Sequence, residues 1–366
     1  MRKLLSALLL GASALAAAQS TEQSYILVGS YTDEVHTDGI YTLSFNPQNG
    51  ALKRVGNTQN VRNPSYLAWS KNRDFLYAVN ENSSQNDEVS AFRFDKRNGS
   101  LSFINRQPVN GSAACYVAVD HSGRHLAVAN YSSGNVSLYD LEAQGGISPP
   151  RQSLTLPNLG RQPHAHTTVF GPRNDLMLVT DLGNDRIYQY RFDAGAMQPL
   201  QADPRVYRLG EGEGPRHLVF SQDERFVYVL NEWAGNIAVF HFENNTLVHK
   251  QTVVSTDILP PGERNKGSAA IKISPDGRHL YASNRGSTNN IAIFKIAADG
   301  LLSKVGEQAT DAHPRDFLID KSGRWLLVAS RDGNSVKVYR VNTRTGLLAD
   351  AGQSVSLPNP VMLLAY

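Results

Sequence analysis

The sequence predicts an all-β protein, a seven-bladed β-propeller with four-stranded blades, one of them closed jointly by N- and C-terminal strands. Three observations carry this. First, Gly214–Glu232 reads as an apolar strand, a polar turn at Ser221–Arg225 and a second strand, a connection too short for anything but an antiparallel pair. Second, the unit Pro215–Phe240 recurs as Pro64–Phe92, Ala114–Tyr139, Ala165–Tyr190, Ser268–Phe294 and Pro314–Tyr339, a period of roughly 46–53 residues. Third, the two ends of the chain are complementary. The N-terminal part supplies a second, third and fourth strand at Tyr25–Ser30, Gly39–Phe45 and Leu52–Val55. The C-terminal Asn359-Pro360-Val361-Met362-Leu363 matches the first-strand pattern Asn63-Pro64-Ser65-Tyr66-Leu67.

Along the chain, the first element is a leader. Arg2 and Lys3 precede an apolar run from Leu4 to about Ala16, and Ala17-Ala18 gives small residues for cleavage. Residues 1–18 are therefore expected to be a signal peptide and 19–366 a single propeller domain, exported to the periplasm or beyond. No later run is long enough to cross a bilayer. Each following copy has a tight-turn cluster between its first two strands: SKNRD, DHSGR, GPRND, SQDER, SPDGR and DKSGR. Third strands follow at Val89–Phe92, Val136–Tyr139, Ile187–Tyr190, Ile237–Phe240, Ile291–Phe294 and Val336–Tyr339, and fourth strands after turns such as Asn98-Gly99.

Composition narrows the function. The 366 residues carry a net charge of +3 with both signs mixed, so no nucleic-acid stripe or polybasic membrane patch is present. Cys115 is the only cysteine and sits in an apolar strand pattern, which fits a small buried hydrophobe better than a reactive thiol. There is no G-x-S-x-G, H-E-x-x-H or paired C-x-x-C, and the glycines of Gly210–Gly214 precede a strand, not a helix. No metal and no cofactor are expected, and the chain is expected to be a monomer.

In a propeller the entry of each first strand and the exit of each second strand share one face of the disc. The entry column reads Ser65, Cys115, His166, Arg216, Ala269, Arg315, Val361. The exit pairs are Ser30-Tyr31, Asn80-Glu81, Asn130-Tyr131, Asp181-Leu182, Asn231-Glu232, Asn284-Arg285 and Ser330-Arg331. Neighbouring blades thus bring His166, Arg216, Glu232 and Arg285 to one sector, more charge than packing requires. His164 and His166 share a strand face at i and i+2 and are candidates for acid–base work. Arg216 and Arg285 are candidate anion forks, and Arg315 and Arg331 fit inter-blade ion pairs as well as substrate contacts. Glu232 either orients a catalytic group or neutralises Arg216. Asp181, His217, Asn231 and Asn284 lie close enough to be candidate substrate contacts.

The stretches PHAH (Pro163–His166), DLGNDRI (Asp181–Ile187), GPRHLVF (Gly214–Phe220), Asn231-Glu232, SPDGRHLYASNRG (Ser274–Gly286) and PRDFLID (Pro314–Asp320) together resemble the lactonase family of seven-bladed propellers. That family includes bacterial 6-phosphogluconolactonase and the fungal carboxy-muconate cyclase. The resemblance covers the whole mature chain and implies a lactone hydrolase that needs no cofactor. It implies that the family's histidine, arginine, glutamate and second arginine correspond to His164, Arg216, Glu232 and Arg285, with the histidine role open between His164 and His166. Ala270 departs from the family, which often has glutamate there, and a leader would remove the chain from the cytoplasm, where phosphorylated sugar lactones are made. The expected ligand is a small lactone or sugar acid. Two alternatives stand beside hydrolysis: a non-catalytic exported propeller that binds a sugar acid, peptide or cell-wall fragment, and a muconate-type lactonising cyclase.

Overall fold

The computed structural model describes residues 24–366 except 34, 37, 83–86 and 257–264. The leader expected over residues 1–18 lies outside the described residues. Among the described residues there are seven four-stranded antiparallel sheets, each a simple meander whose strands follow in chain order except at the closing blade. In that blade, blade 1, Pro360–Ala365 pairs with Ser24–Ser30, followed outward by Asp38–Phe45 and Leu52–Gln59. The expected division between the two ends of the chain is therefore present, with the fourth strand four residues longer than its apolar pattern showed.

The first strands of blades 2 to 7 are Leu67–Trp69, Ala114–Val119, Ala165–Phe170, Pro215–Phe220, Ser268–Ile273 and Pro314–Ile319. Each touches the first strand of the next blade, and Pro360–Ala365 touches those of blades 7 and 2, so the inner strands form a closed ring. The second strands, such as Phe226–Asn231 and His279–Asn284, are buried along their whole length. They are covered on both faces by neighbouring blades, which explains their unbroken apolar reading.

The hairpin turns follow from their polar residues. Ser221 Oγ donates to Asp223 Oδ1 at 2.6 Å and accepts from the Phe226 amide at 2.9 Å. The fourth turn residue is left-handed in all six copies: Arg73, Gly123, Asn174, Glu224, Gly277 and Gly323. Where glycine stands, this conformation is free of Cβ strain. At Arg73 and Glu224 it costs about 1–2 kcal/mol. Between blades, buried tyrosine hydroxyls reach neighbouring turns: Tyr228 donates to the Gly300 carbonyl and Tyr281 to the Gly346 carbonyl, both at 2.9 Å.

Candidate active site

At the mouth, backbone geometry repeats in all seven blades. The residue leaving each second strand donates its amide to the carbonyl just before the first strand: Tyr31 to Asn359, Glu81 to Asn63, Tyr131 to Ala113, Leu182 to His164, Glu232 to Gly214, Arg285 to Gly267 and Arg331 to His313. In six blades the strand register slips beside the entry position, at Cys115, His166, Arg216, Ala269, Arg315 and Val361. A β-bulge leaves one residue unpaired and re-aims its side chain. Six of the seven entry positions, all but Ser65, are set by this bulge.

Arg216 is 2% exposed. Its Nε lies 2.9 Å from Glu232 Oε2, a close ion contact without the alignment of a hydrogen bond. Its Nη1 donates to the Ala269 carbonyl and stands 3.2 Å from His217 Nε2. Arg285 reaches the same Glu232 oxygen through Nη2 at 2.9 Å and donates Nε to the Gly267 carbonyl at 2.9 Å. Asn265 donates to the other Glu232 oxygen at 2.8 Å. Burial alone would raise the Glu232 carboxyl. Arg285, Arg216 and Asn265 outweigh it and hold the group below the usual carboxylate value. Burial and neighbouring Arg285 lower Arg216 to about 10, which leaves it charged at neutral pH.

Across the mouth, Arg315 pairs with Glu81 at 3.2 Å and lies over the Tyr31 ring, whose hydroxyl donates to Glu81 at 2.9 Å. Three guanidiniums therefore share two carboxylates. Arg216 Nη2, Arg285 Nη1, and Arg315 Nε and Nη1 make no hydrogen bond to a described residue. These donors are available to an anion or a developing oxyanion.

The two histidines of PHAH differ sharply. Of the seven residues that precede a first strand, His164 alone is not left-handed; the others are Asn63, Ala113, Gly214, Gly267, His313 and Asn359. The His164 ring stacks on Tyr131, centroids 4.2 Å apart and planes 4° apart, and Nδ1 lies 2.9 Å from the Tyr131 carbonyl. A carbonyl can only accept, so in the neutral ring Nδ1 carries the proton and Nε2 the lone pair, and Nε2 makes no hydrogen bond to a described residue. His166 is buried, packed edge-on to Tyr131 and His217, with Nδ1 unpartnered. Burial, then Arg216 and Arg315, push its pKa well below the ordinary histidine value.

His217 meets His166 at 5.2 Å, Tyr66 at 5.8 Å and Tyr116 at 5.5 Å, and Tyr66 stacks on Tyr116 at 4.0 Å. These rings form a layer beneath the arginines. Burial and Arg216 hold His217 well below its ordinary value too.

The other candidates are placed as follows. Asp181 is fully buried and accepts from the His164 amide and from Asn184, so it shapes the exit loop. Asn231 donates to Glu213 and Asn236, and Asn284 bonds Ser255, Ser268 and Asn290. Arg331 pairs with its neighbour Asp332 at 2.6 Å and stays out of the Arg216–Arg285 cluster. Glu81 and His313 are among the residues at the mouth that were not sequence candidates. Glu81 follows Asn80 as Glu232 follows Asn231, a parallel that marks it. His313 stands before its first strand where His164 stands before its own.

The depressed histidines link stability to pH. The unfolded chain binds protons near ~6.5, whereas the native chain does not until far lower. The stabilisation is therefore complete above about 6.5 and is lost as pH falls, by at most about 1.4 kcal/mol per unit for each histidine. The urea midpoint is expected to drop between pH 7.5 and 5, and a His166→Gln/His217→Gln variant should show a flatter profile. An unchanged slope in that variant would remove both rings from the effect.

The family model for the lactonase, 7-bladed beta-propeller family matches residues 25–365. This chain belongs to the lactonase family of seven-bladed β-propellers. A 6-phosphogluconolactonase of Formosa agariphila is 32% identical over 341 residues, covering 90% of this chain and 96% of that protein. A Bacteroides fragilis crystal structure superposes with a TM-score of 0.89 at 34% identity, covering 95% of this chain and 99% of the other. The periplasmic gluconolactonase of Pseudomonas aeruginosa gives a TM-score of 0.87 at 31% identity, with 94% and 99% covered.

In this lactonase-family propeller, the described residues contain no group of three or more His, Cys, Asp or Glu side chains placed to hold a metal ion. Cys115 is 2% exposed, and burial raises its thiol far above the range in which a thiolate forms.

Proposed function

We propose that the chain hydrolyses the lactone of a sugar acid, with water as nucleophile and no cofactor. The carrying observation is the pair Arg216 and Arg285 on one Glu232 oxygen, at a mouth that also holds His164 with its Nδ1 fixed on the Tyr131 carbonyl. In this reading His164 Nε2 takes a proton from water as the oxygen attacks the lactone carbonyl. A free donor of Arg216 meets the oxyanion of the tetrahedral intermediate, and the Arg285 fork holds an acidic substituent of the substrate. Collapse breaks the ring C–O bond, and the proton on Nε2 passes to the departing ring oxygen. Glu232 keeps both forks in place and stays ionised because both are cationic. His166, buried and with little affinity for a proton, serves as a neutral floor to the site.

The charge excess favours a substrate with an acidic substituent. Arg285→Ala should lower kcat/KM for an acidic lactone by about 2–4 kcal/mol, the effect of truncating one partner of a desolvated charge pair. A neutral lactone should be nearly unaffected. Arg285→Lys should recover part of the loss, since it keeps the charge without the fork. Equal losses on both substrates would make Arg285 a scaffold residue. A panel of phosphorylated and unphosphorylated sugar lactones tests the reading itself: no hydrolysis of any would favour a binding protein.

Export is part of the proposal. It rests on the basic-then-apolar N-terminus and on the periplasmic protein among the similar structures. Fractionation of cells, with the processed N-terminus read by mass spectrometry, checks it. A full-length chain in the cytoplasm would overturn it.

A further inference from the structure

On the face opposite the mouth, a cavity of about 980 Å3 opens at the seam where blade 1 meets blades 7 and 2. It falls at the upper end of the range of small-molecule sites, about 300–1,000 Å3. Its walls come from three blades, and its floor is apolar: Ile26 and Phe45 are buried there, with Leu318 and the Tyr366 ring beside them.

Five cations surround that floor: Lys53, Arg73, Lys96, Lys321 and Arg324. Arg324 is engaged, with Nη2 on the Pro47 carbonyl at 2.8 Å and Nε on Ser322. The side chains of Lys53, Arg73, Lys96 and Lys321 make no ion pair or hydrogen bond with any described residue. The single acidic side chain of the lining, Asp320, does not neutralise them. Its oxygens are taken by the Trp325 amide at 2.8 Å and by the Ser322 amide and hydroxyl at 3.1 and 2.5 Å. At the mouth each guanidinium of the entry column has a carboxylate partner, whereas four of the cations lining this cavity have none among the described residues.

We propose that this seam cavity is a second binding site, for a small amphipathic anion: an alkyl or aryl body ending in phosphate, sulfate or carboxylate. The apolar floor takes the body and the unpaired cations take the head, with one end fitting neither without the other. Because the walls belong to the split blade and both its neighbours, an occupant joins the elements that close the ring. Ligand that binds only the folded chain stabilises it by mass action. The site is separate from the lactone chemistry, so its test does not depend on that reading.

The probe is octyl phosphate, titrated into the full chain by calorimetry below its micelle concentration, with thermal unfolding in parallel. Saturable one-to-one binding and a raised Tm are expected. Inorganic phosphate and octyl glucoside should each bind at least about tenfold more weakly, since each lacks one half of the ligand. Arg73→Ala/Lys96→Ala should weaken octyl phosphate by about tenfold or more and leave lactone hydrolysis unchanged, while Arg285→Ala should leave octyl phosphate binding intact. Absence of binding overturns the proposal, as does binding that survives Arg73→Ala/Lys96→Ala but is lost in Arg285→Ala, which would place it at the mouth. Equal affinity for octyl glucoside overturns it too. Binding to phosphatidylglycerol vesicles without binding of monomeric octyl phosphate would make this a membrane-facing surface and would likewise overturn it.

Discussion

A chain ending at Leu357 is expected to be insoluble or unfolded at neutral pH. The missing strand, Pro360–Ala365, is the inner strand of blade 1, and Val361, Met362 and Leu363 are almost wholly buried. Burying each contributes about 1.5–3 kcal/mol, so the three approach the roughly 5–15 kcal/mol by which a whole domain is stable. Polar contacts go with them. The Leu363 amide donates to Asp316 Oδ2 at 2.9 Å, and Trp69 Nε1 donates to the Ala365 carbonyl at 2.8 Å. Ser24–Ser30 becomes an open edge able to pair with other chains. Solubility, circular dichroism and Tm of the truncated chain provide the test. Adding the peptide 358–366 in trans should restore part of the fold by strand addition. A soluble truncated chain with the parental Tm would show that the ring does not depend on its closing strand.

His164→Gln is expected to lower kcat for lactone hydrolysis by about a hundredfold or more, the usual contribution of a positioned general base. The Tm should change little, because the ring lies half-buried at the mouth and bonds only a backbone carbonyl. His166→Gln should do the opposite and disturb stability more than chemistry, since its ring packs against Tyr131 and His217. Full activity in His164→Gln would shift the base elsewhere. Loss in His166→Gln alone, at unchanged Tm, would move the role to the buried ring.

Much of this was legible in the chain because propeller blades are local. A strand, a tight turn and an alternating apolar strand lie within some two dozen residues, and the alignment of copies places residues in columns without any knowledge of contacts. The entry and exit columns are read in this way, down to Arg216, Glu232 and Arg285. Glu81 could have been read by the same alignment, from its place after Asn80.

Less of the site was legible. Glu81 and Arg315 lie 234 residues apart, and only closure of the ring makes them a pair. His164 and His166 are two residues apart and look alike in sequence. One bulge and one negative φ separate them, so that one stays half-buried at the mouth and the other is buried beneath arginines. Tyr66 and Tyr116 read as ordinary strand residues, and His217 as a candidate substrate contact, yet the three come from different blades to pack ring against ring.

By itself the sequence determined the number of blades, the split that closes them and the residues that stand at the mouth, because periodicity and turn chemistry act over short separations. Only the tertiary structure decided which arginines share a carboxylate, which histidine is buried and which cations line the seam without a carboxylate partner. Those depend on contacts between blades, and a contact between blades is set by the radius and closure of the ring rather than by any neighbouring residue.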